Sequence, residues 1–178
     1  HLAAQPIVNY SFLNPVETWQ TNVIGTVNIL EALKNLNKNC IGIIITGDKC
    51  YENQEWEWGY REIDRIGGND PYSASKASAE LAFKSYYRSF FSDQKKSKIR
   101  IVSARAGNVI GGGDWAEDRI VPDCIRSWTK DLPVEIKSPN STRPFQHVLE
   151  PLKGYITLAY KLNTDKNLSG ESFNFGPL

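Results

Sequence analysis

The chain has no methionine, only two histidines and three cysteines, no apolar run as long as a membrane span, and no excess of one charge. Without such a run we predict no transmembrane helix, and no segment resembles a secretory signal peptide. The net charge of +1 gives no electrostatic reason to bind nucleic acid or a membrane surface. Cys40, Cys50 and Cys124 lack the spacing of metal ligands, so we expect idle thiols in a reducing cytoplasm and no metal site.

The composition is that of a globular protein, with 178 residues, 40% of them apolar and 23% charged, and no low-complexity tract. This length fits one domain or the larger part of one. No methionine opens the chain, residues 1–5 have the pattern of a strand end, and residues 172–177 have that of a strand and turn. We therefore expect an internal segment of a longer protein.

Hydrophobic periodicity predicts strands that alternate with helices. Apolar residues recur at helical spacing over 15–37, whereas 40–46 is a short β-branched run typical of a strand buried on both faces. The remaining predicted helices cover 72–92, 120–130 and 152–162. The remaining predicted strands cover 99–105, 134–137 and 145–148, and the strand and turn at 172–177 end the pattern. Such alternation indicates an α/β fold with a doubly wound parallel sheet. Ligands of such sheets bind beyond the carboxyl ends of the strands, here at 46–49 and 106–108.

Tyr72 and Lys76 lie four residues apart at the start of a predicted helix, so their side chains share one face. A tyrosine titrates near pH ~10, and lowering its pKa to about 7 requires roughly 4 kcal/mol, an amount that one nearby ammonium can supply. The pair is therefore suited to removing a proton from a hydroxyl group. The same spacing also occurs on solvated helices, so its context decides between the two interpretations.

Several segments together resemble the nucleotide-sugar branch of the extended short-chain dehydrogenase/reductase superfamily. They are HLAAQ at 1–5, TNVIGT at 21–26, YSASK at 72–76 and RAGN at 105–108. Within that branch, the segments at 48–53, 107–115 and 143–151 are similar to those of the CDP-glucose 4,6-dehydratases.

The resemblance implies a Rossmann-like fold of which this chain holds the second half. Residues 1–107 would be the C-terminal part of the NAD-binding domain. Residues 108–178 would be a substrate-binding region, interleaved with returning Rossmann elements at about 143–162. It further implies NAD as cofactor, CDP-glucose as substrate, a homodimeric or homotetrameric parent protein in the cytoplasm, and a role in making deoxysugars for bacterial surface polysaccharides such as the O-antigen of lipopolysaccharide.

The resemblance also assigns catalytic roles. Tyr72 would take the proton of the glucose 4-hydroxyl while NAD accepts the hydride from C4, and Lys76 would hold the nicotinamide ribose and lower the pKa of the tyrosine. Asp48 would then act as the acid at C6 and Lys49 as the base at C5, which gives CDP-4-keto-6-deoxyglucose. To act as an acid, Asp48 needs a pKa raised by burial. Without the resemblance, Asp48 and Lys49 would read as a surface salt bridge.

Further residues carry over from the family by position. Asn22 would order a proton-relay water, although a polar residue inside a helix is an equally good interpretation. The cofactor would be lined by the small side chains and backbone of Leu2, Ala3 and Ala4. The diphosphate would be bound by Asn108 and Arg143. An arginine at such a position also forms surface ion pairs, and His147 reads as a structural histidine.

Gly47 and the glycines at 111–113 differ from what the family or a dinucleotide-binding motif would have. The family has a serine or threonine before the Asp-Lys pair, whose hydroxyl binds the substrate, but this chain has Gly47 with Thr46 before it. Neighbouring side chains of a strand face opposite ways, so Thr46 replaces that hydroxyl only if the loop bends, and restoring a serine at position 47 is expected to raise turnover. The glycines at 111–113 lack the spacing of a dinucleotide fingerprint and read as a turn in a substrate loop.

Two other functions remain open from the sequence. One is a different NAD-dependent epimerase or dehydratase of the branch, although the lysine at position 49 favours the CDP-sugar enzymes. The other is an inactive fragment, because the glycine-rich phosphate loop is absent and an unpaired central strand would favour aggregation.

Overall fold

Parallel strands form the centre of the fold in the computed structural model, which describes residues 1–93 and 95–177. The strands are β1 (Cys40–Ile45), β2 (Ile99–Ala106), β3 (Val109–Ile110), β4 (Gln146–His147) and β5 (Ser172–Phe175). One parallel sheet has the order β1-β2-β5, and β3 and β4 form a separate parallel pair. The predicted parallel α/β architecture is thereby confirmed.

Helices connect these strands and cover both faces of the main sheet. They are α1 (Val8–Leu13), α2 (Pro15–Trp19), α3 (Gly25–Lys34), α4 (Pro71–Tyr86), α5 (Ile120–Trp128) and α6 (Leu149–Thr164). A π-helical turn at Gln20–Ile24 joins α2 to α3, and a second at Tyr87–Phe91 extends α4. Within the described ranges, none of the helices is both long and apolar enough to cross a bilayer.

The hydrophobic core consists of two layers on opposite sides of the sheet. On one side Leu30 of α3 and Phe83 of α4 pack against Ile44 and Ile101 of the strands. On the other side α6 packs through Leu158 and other apolar residues against Val102. Because alternate residues of β2 enter opposite layers, β2 is the strand buried on both faces, a property that the sequence predicted for residues 40–46 instead.

Several local predictions need correction. Residues 134–137 do not form a strand, and residues 8–13, read as a loop, form the short helix α1. In β1 only Ile44 is fully buried, because β1 lies at one edge of the described three-stranded sheet. The backbone of His1 lies beside this edge, where it donates to the Ile43 carbonyl and accepts from the Ile45 amide. This pairing agrees with the interpretation of residues 1–5 as a strand end.

Candidate active site

A large cleft lies at the carboxyl ends of β1 and β2, where the parallel sheet predicted a ligand site. Its volume is about 1020 Å³. Several predicted site residues line it together, although they come from separate parts of the sequence: Leu2, Asp48, Lys49, Tyr72, Asn108 and Arg143. Ala3 and Ala4 do not line this cleft.

The start of α4 is built to hold Tyr72 at the cleft. Asp70 caps the helix: its carboxylate accepts hydrogen bonds from the Ser73 amide at 2.9 Å and the Ser73 hydroxyl at 2.6 Å. Pro71 follows in the first turn, where its missing N–H has no cost. Gly68 packs so closely on this turn that an added Cβ would lie 2.4 Å from the Ala74 amide nitrogen. These contacts fix the first turn of α4 and therefore the Tyr72 ring.

Lys76 lies one turn below Tyr72 on the same helix face, as the spacing predicted. Its Nζ atom is 5.7 Å from the centroid of the Tyr72 ring. The residue is 5% exposed, and its ammonium makes no hydrogen bond within the described part of the chain. Desolvation of this buried amine lowers the pKa of Lys76 to about 8.

The predicted lowering of the tyrosine pKa is not found in this chain. Burial, assisted by the negative charge of Asp48, raises the pKa of Tyr72 to about 12. The cation that opposes this rise is Arg119. Burial disfavours the charged form of Lys76 itself. The prediction from spacing was wrong here because it counted the attraction between the two groups and omitted the desolvation of both.

Asp48 and Lys49 follow β1 in a short 3-10 turn, Asp48–Cys50, which carries both side chains to the cleft. Burial raises the pKa of Asp48, although Lys49 and Arg143 act against this rise. That direction is the one that an acid requires. Within the described residues no salt bridge joins Asp48 to Lys49, so the surface ion pair considered from sequence is not formed.

Gly47 has a backbone requirement that explains its identity. Its φ is +148°, a value that side-chain-bearing residues rarely adopt. Thr46 does not supply the missing hydroxyl, because its Oγ1 donates to the buried carboxylate of Glu80 at 2.6 Å. The expectation that a serine at position 47 improves the site therefore conflicts with the backbone, which must shift to accept any side chain.

Asn22 is buried in the π-helical turn and is fully bonded to protein groups. Its Oδ1 accepts from the Gln5 amide at 2.7 Å, and its Nδ2 donates to the Gln5 carbonyl at 3.2 Å and the Ser75 hydroxyl at 2.9 Å. The side chain thus ties the chain start to α4. His147 accepts a 3.3 Å bond from the Leu149 amide, in line with a structural role.

Arg119 is a charged residue of this cleft that sequence reasoning missed. Arg119 precedes α5 and lines the cleft, and its charge acts on Tyr72 to lower the phenol pKa. Its Nε is buried and has no hydrogen-bond partner among the described residues. No motif marked it, because a single arginine before an apolar helix is common; only the folded chain brings it to the tyrosine.

Comparisons with known proteins show the family of the chain. Residues 1–159 match the family model described as GDP-mannose 4,6 dehydratase. The chain is 50% identical over 179 residues to CDP-glucose 4,6-dehydratase of Salmonella typhimurium, an alignment that covers 99% of this chain and 50% of that protein. It is 28% identical to dTDP-D-glucose 4,6-dehydratase of Dictyostelium discoideum, with 95% of this chain and 41% of that protein covered.

Solved structures also share the fold. UDP-glucuronic acid 4-epimerase from Bacillus cereus, in complex with UDP-glucuronic acid and NAD, matches with a TM-score of 0.83 and 26% identity over 100% of this chain and 53% of that one. This chain spans about half the length of these relatives. The predicted resemblance is confirmed, and the chain belongs to the GDP-mannose 4,6 dehydratase family of nucleotide-sugar enzymes.

Proposed function

We propose that this chain is the catalytic part of an NAD-dependent CDP-glucose 4,6-dehydratase, a hydro-lyase. The observation that carries the proposal is the meeting of the Asp48–Lys49 turn and Tyr72 in one cleft that also holds Asn108 and Arg143. An epimerase needs a hydroxyl-directed tyrosine but has no use for a second acid and base. The 50% identity to the Salmonella enzyme supports CDP-glucose as the substrate.

The residues of the chain fit NAD. The Lys76 side chain, 5% exposed, contacts the Tyr72 ring through Nζ and makes no hydrogen bond within the described residues, which leaves its donors for the hydroxyls of a nicotinamide ribose. Leu2 lines the cleft. NAD bound there would accept the hydride from C4 of the sugar, return it to C6, and in its oxidised form bring positive charge near Tyr72. Ala3 and Ala4 would contact it through backbone in the longer protein. The described residues contain no group of three or more metal-ligating side chains.

The chain's own groups divide the proton transfers between them. Tyr72 takes the proton of the 4-hydroxyl, aided by the charge of Arg119, which acts against the burial of the phenol. Lys49 removes the proton at C5 once the 4-ketone has acidified it, and returns a proton to C5 when the hydride adds to C6. Asp48, whose raised pKa favours the protonated carboxyl, gives its proton to the departing C6 hydroxyl. Asn108 and Arg143 bind the diphosphate, where the planar guanidinium matches the phosphate oxygens.

The test is turnover of CDP-glucose by the full-length protein that carries this chain. The 4-keto product is followed by its ultraviolet absorbance in alkali. Tyr72→Phe is expected to abolish reduction of the cofactor while CDP-glucose still binds, and Tyr160→Phe, an exposed tyrosine on α6, serves as the control. Unchanged turnover in Tyr72→Phe contradicts the role of the phenol. Turnover of a UDP- or dTDP-sugar in place of CDP-glucose assigns the protein to another enzyme of the branch.

The organisation of the whole protein is part of the same proposal. Residues 1–107 belong to its NAD-binding domain and residues 108–178 to its substrate-binding region, interleaved with returning Rossmann elements at about 143–162 and with β5, which pairs with β2. The isolated 178-residue chain is inactive. Exposed apolar side chains on α2 and the following turn, Val16, Trp19 and Ile24, favour a homodimer or homotetramer. Light scattering of the full-length protein tests the assembly, and a monomer contradicts it. A cytoplasmic location follows from its nucleotide-sugar substrate.

A further inference from the structure

A buried ion pair lies behind the catalytic cleft and takes no part in the mechanism above. The guanidinium of Arg105 on β2 donates to the Glu80 carboxylate of α4 at 2.7 Å, and the two side chains are 1% and 0% exposed. Glu80 also accepts bonds from Thr46 at 2.6 Å and Ser103 at 2.9 Å. A buried charge pair needs such additional bonds to offset its desolvation.

One branch of this network leads to the turn that carries the proposed acid and base. Nη1 of Arg105 donates to the Tyr51 hydroxyl at 2.8 Å, and this hydroxyl donates to Asn174 Oδ1 on β5 at 2.7 Å. Tyr51 follows the 3-10 turn directly, and its amide donates to the Asp48 carbonyl at 3.2 Å. The backbone of Tyr51 is thus bonded to the turn, while its side chain is bonded to two strands of the sheet.

Other contacts keep the Tyr51 ring in place independently of its hydroxyl. The ring stacks on Tyr60 with centroids 5.1 Å apart and planes at 15°. The Cys50 carbonyl beside it accepts from the Gly67 amide at 2.9 Å. The Arg105 guanidinium carbon also lies 5.0 Å from the centroid of the Tyr51 ring, and the hydroxyl adds directed hydrogen bonds to Arg105 and Asn174.

We propose that Tyr51 is a positioning residue for the elimination step, whose hydroxyl, held by Arg105 and Asn174, fixes the Asp48–Cys50 turn against the sheet. The proposal rests on the dehydratase function and deepens it. Tyr72 and Lys76 are held by α4, whose first turn is fixed by Asp70 and Gly68 through contacts that do not involve Tyr51. Loosening the turn therefore slows the loss of water by Asp48 and Lys49 and spares the oxidation at C4.

Substitution of Arg105 or Glu80 would leave a buried charge unpaired and so prevent folding. Tyr51→Phe avoids this outcome, because Arg105 Nη1 keeps a 3.2 Å bond to the Glu62 carbonyl and the aromatic stack remains. Asn174 likewise keeps its bond to the Tyr60 carbonyl at 2.9 Å. The variant therefore removes the two hydrogen bonds from the Tyr51 side chain to the strands, and Asn174 Oδ1 loses its donor, while the aromatic stack and the contact of the ring with Arg105 remain.

The test compares the full-length protein with its Tyr51→Phe and Tyr60→Phe variants. Tyr60→Phe is the matched control, since its hydroxyl accepts from the Gln54 amide at 2.7 Å and does not touch Arg105. In Tyr51→Phe, kcat with CDP-glucose should fall by about tenfold or more, because small misplacement of reacting groups has effects of this order. KM should stay within about twofold, since binding common to substrate and transition state is retained.

Two readouts separate positioning from general damage. Reduced cofactor should accumulate during turnover by Tyr51→Phe, because oxidation at C4 proceeds and elimination is slow. Hydrogen exchange of the amides in residues 47–52 should be faster than in the parent and in Tyr60→Phe. The proposal is overturned if exchange in this segment is unchanged, or if cofactor binding and KM deteriorate together with kcat and no reduced cofactor accumulates.

The exchange readout does not depend on catalysis. If the parent protein fails to turn over CDP-glucose, the proposed function is wrong, and unchanged exchange in Tyr51→Phe would still refute the positioning of the turn. Faster exchange in that variant alone would support it.

Discussion

Replacing Lys76 by methionine tests how strongly burial opposes charge below the active-site cleft. Lys76 is 5% exposed and its ammonium has no hydrogen-bond partner in the described part of the chain. Desolvation lowers its pKa from 10.5 to about 8. This difference corresponds to about 3 kcal/mol of folding free energy that is lost when the amine is buried in its charged form.

The sign of the pH dependence follows from proton binding. Between pH 8 and pH 10.5 the unfolded chain holds a proton on Lys76 that the native chain has lost, so the free energy of unfolding rises with pH. Tyr72 acts in the opposite sense at higher pH. Its pKa is raised from 10.0 to about 12, so above pH 10 the native chain holds a proton that the unfolded chain loses, and stability falls. The effect of Lys76 is therefore measured below pH 10.

The assay is urea unfolding of the cofactor-free full-length protein between about pH 7 and pH 10. The stability gained by the parent over this range should exceed that gained by Lys76→Met by about 2 kcal/mol, and the variant should be the more stable protein at pH 7. Lys153→Met, which removes an exposed lysine from α6, should keep the parent's pH dependence. Parallel curves for the parent and Lys76→Met would refute the claim that desolvation lowers the pKa of this amine.

Two further substitutions test the backbone around the site. Gly47→Ser should destabilise the protein by about 1–3 kcal/mol and lower turnover, because residue 47 has a φ of +148°. A higher kcat at an unchanged melting temperature would mean that the added hydroxyl matters more than the backbone strain. Asn22→Leu should lower the free energy of unfolding by about 1–3 kcal/mol, because the Gln5 backbone and Ser75 lose their partner. Normal urea stability with an altered pH profile of turnover would instead assign Asn22 to a proton relay.

The fold could be predicted from sequence wherever burial on both faces left a continuous apolar pattern. The β2 strand was found from its continuous apolar run, and the helix beginning at Pro71 from its apolar stretch. In the structure, the cap formed by Asp70 marks the start of that helix. The false strand at 134–137 had the right composition but no partner strand to complete it. Helix α1 was missed because its six residues are too few to show helical periodicity.

The membership of the site was easier to predict than its electrostatics. Asp48, Lys49, Asn108 and Arg143 were identified because motifs mark them and the ends of parallel strands meet at one edge. Arg119 belongs to no motif. It lowers the pKa of Tyr72 only because the fold brings the two residues together, and sequence spacing does not show this. Local sequence therefore identifies which groups are present but not how strongly each is desolvated.

Desolvation explains why the pKa values of three groups of this site are shifted in different directions. Burial raises the pKa of Asp48 and of Tyr72 and lowers that of Lys76, and each shift favours the uncharged form. An acid that donates a proton benefits from this environment as it stands, whereas a phenol that must accept one does not. In the proposed mechanism, burial therefore favours the acid role of Asp48 without any ligand, whereas proton removal by Tyr72 depends on positive charge that arrives with the ligands.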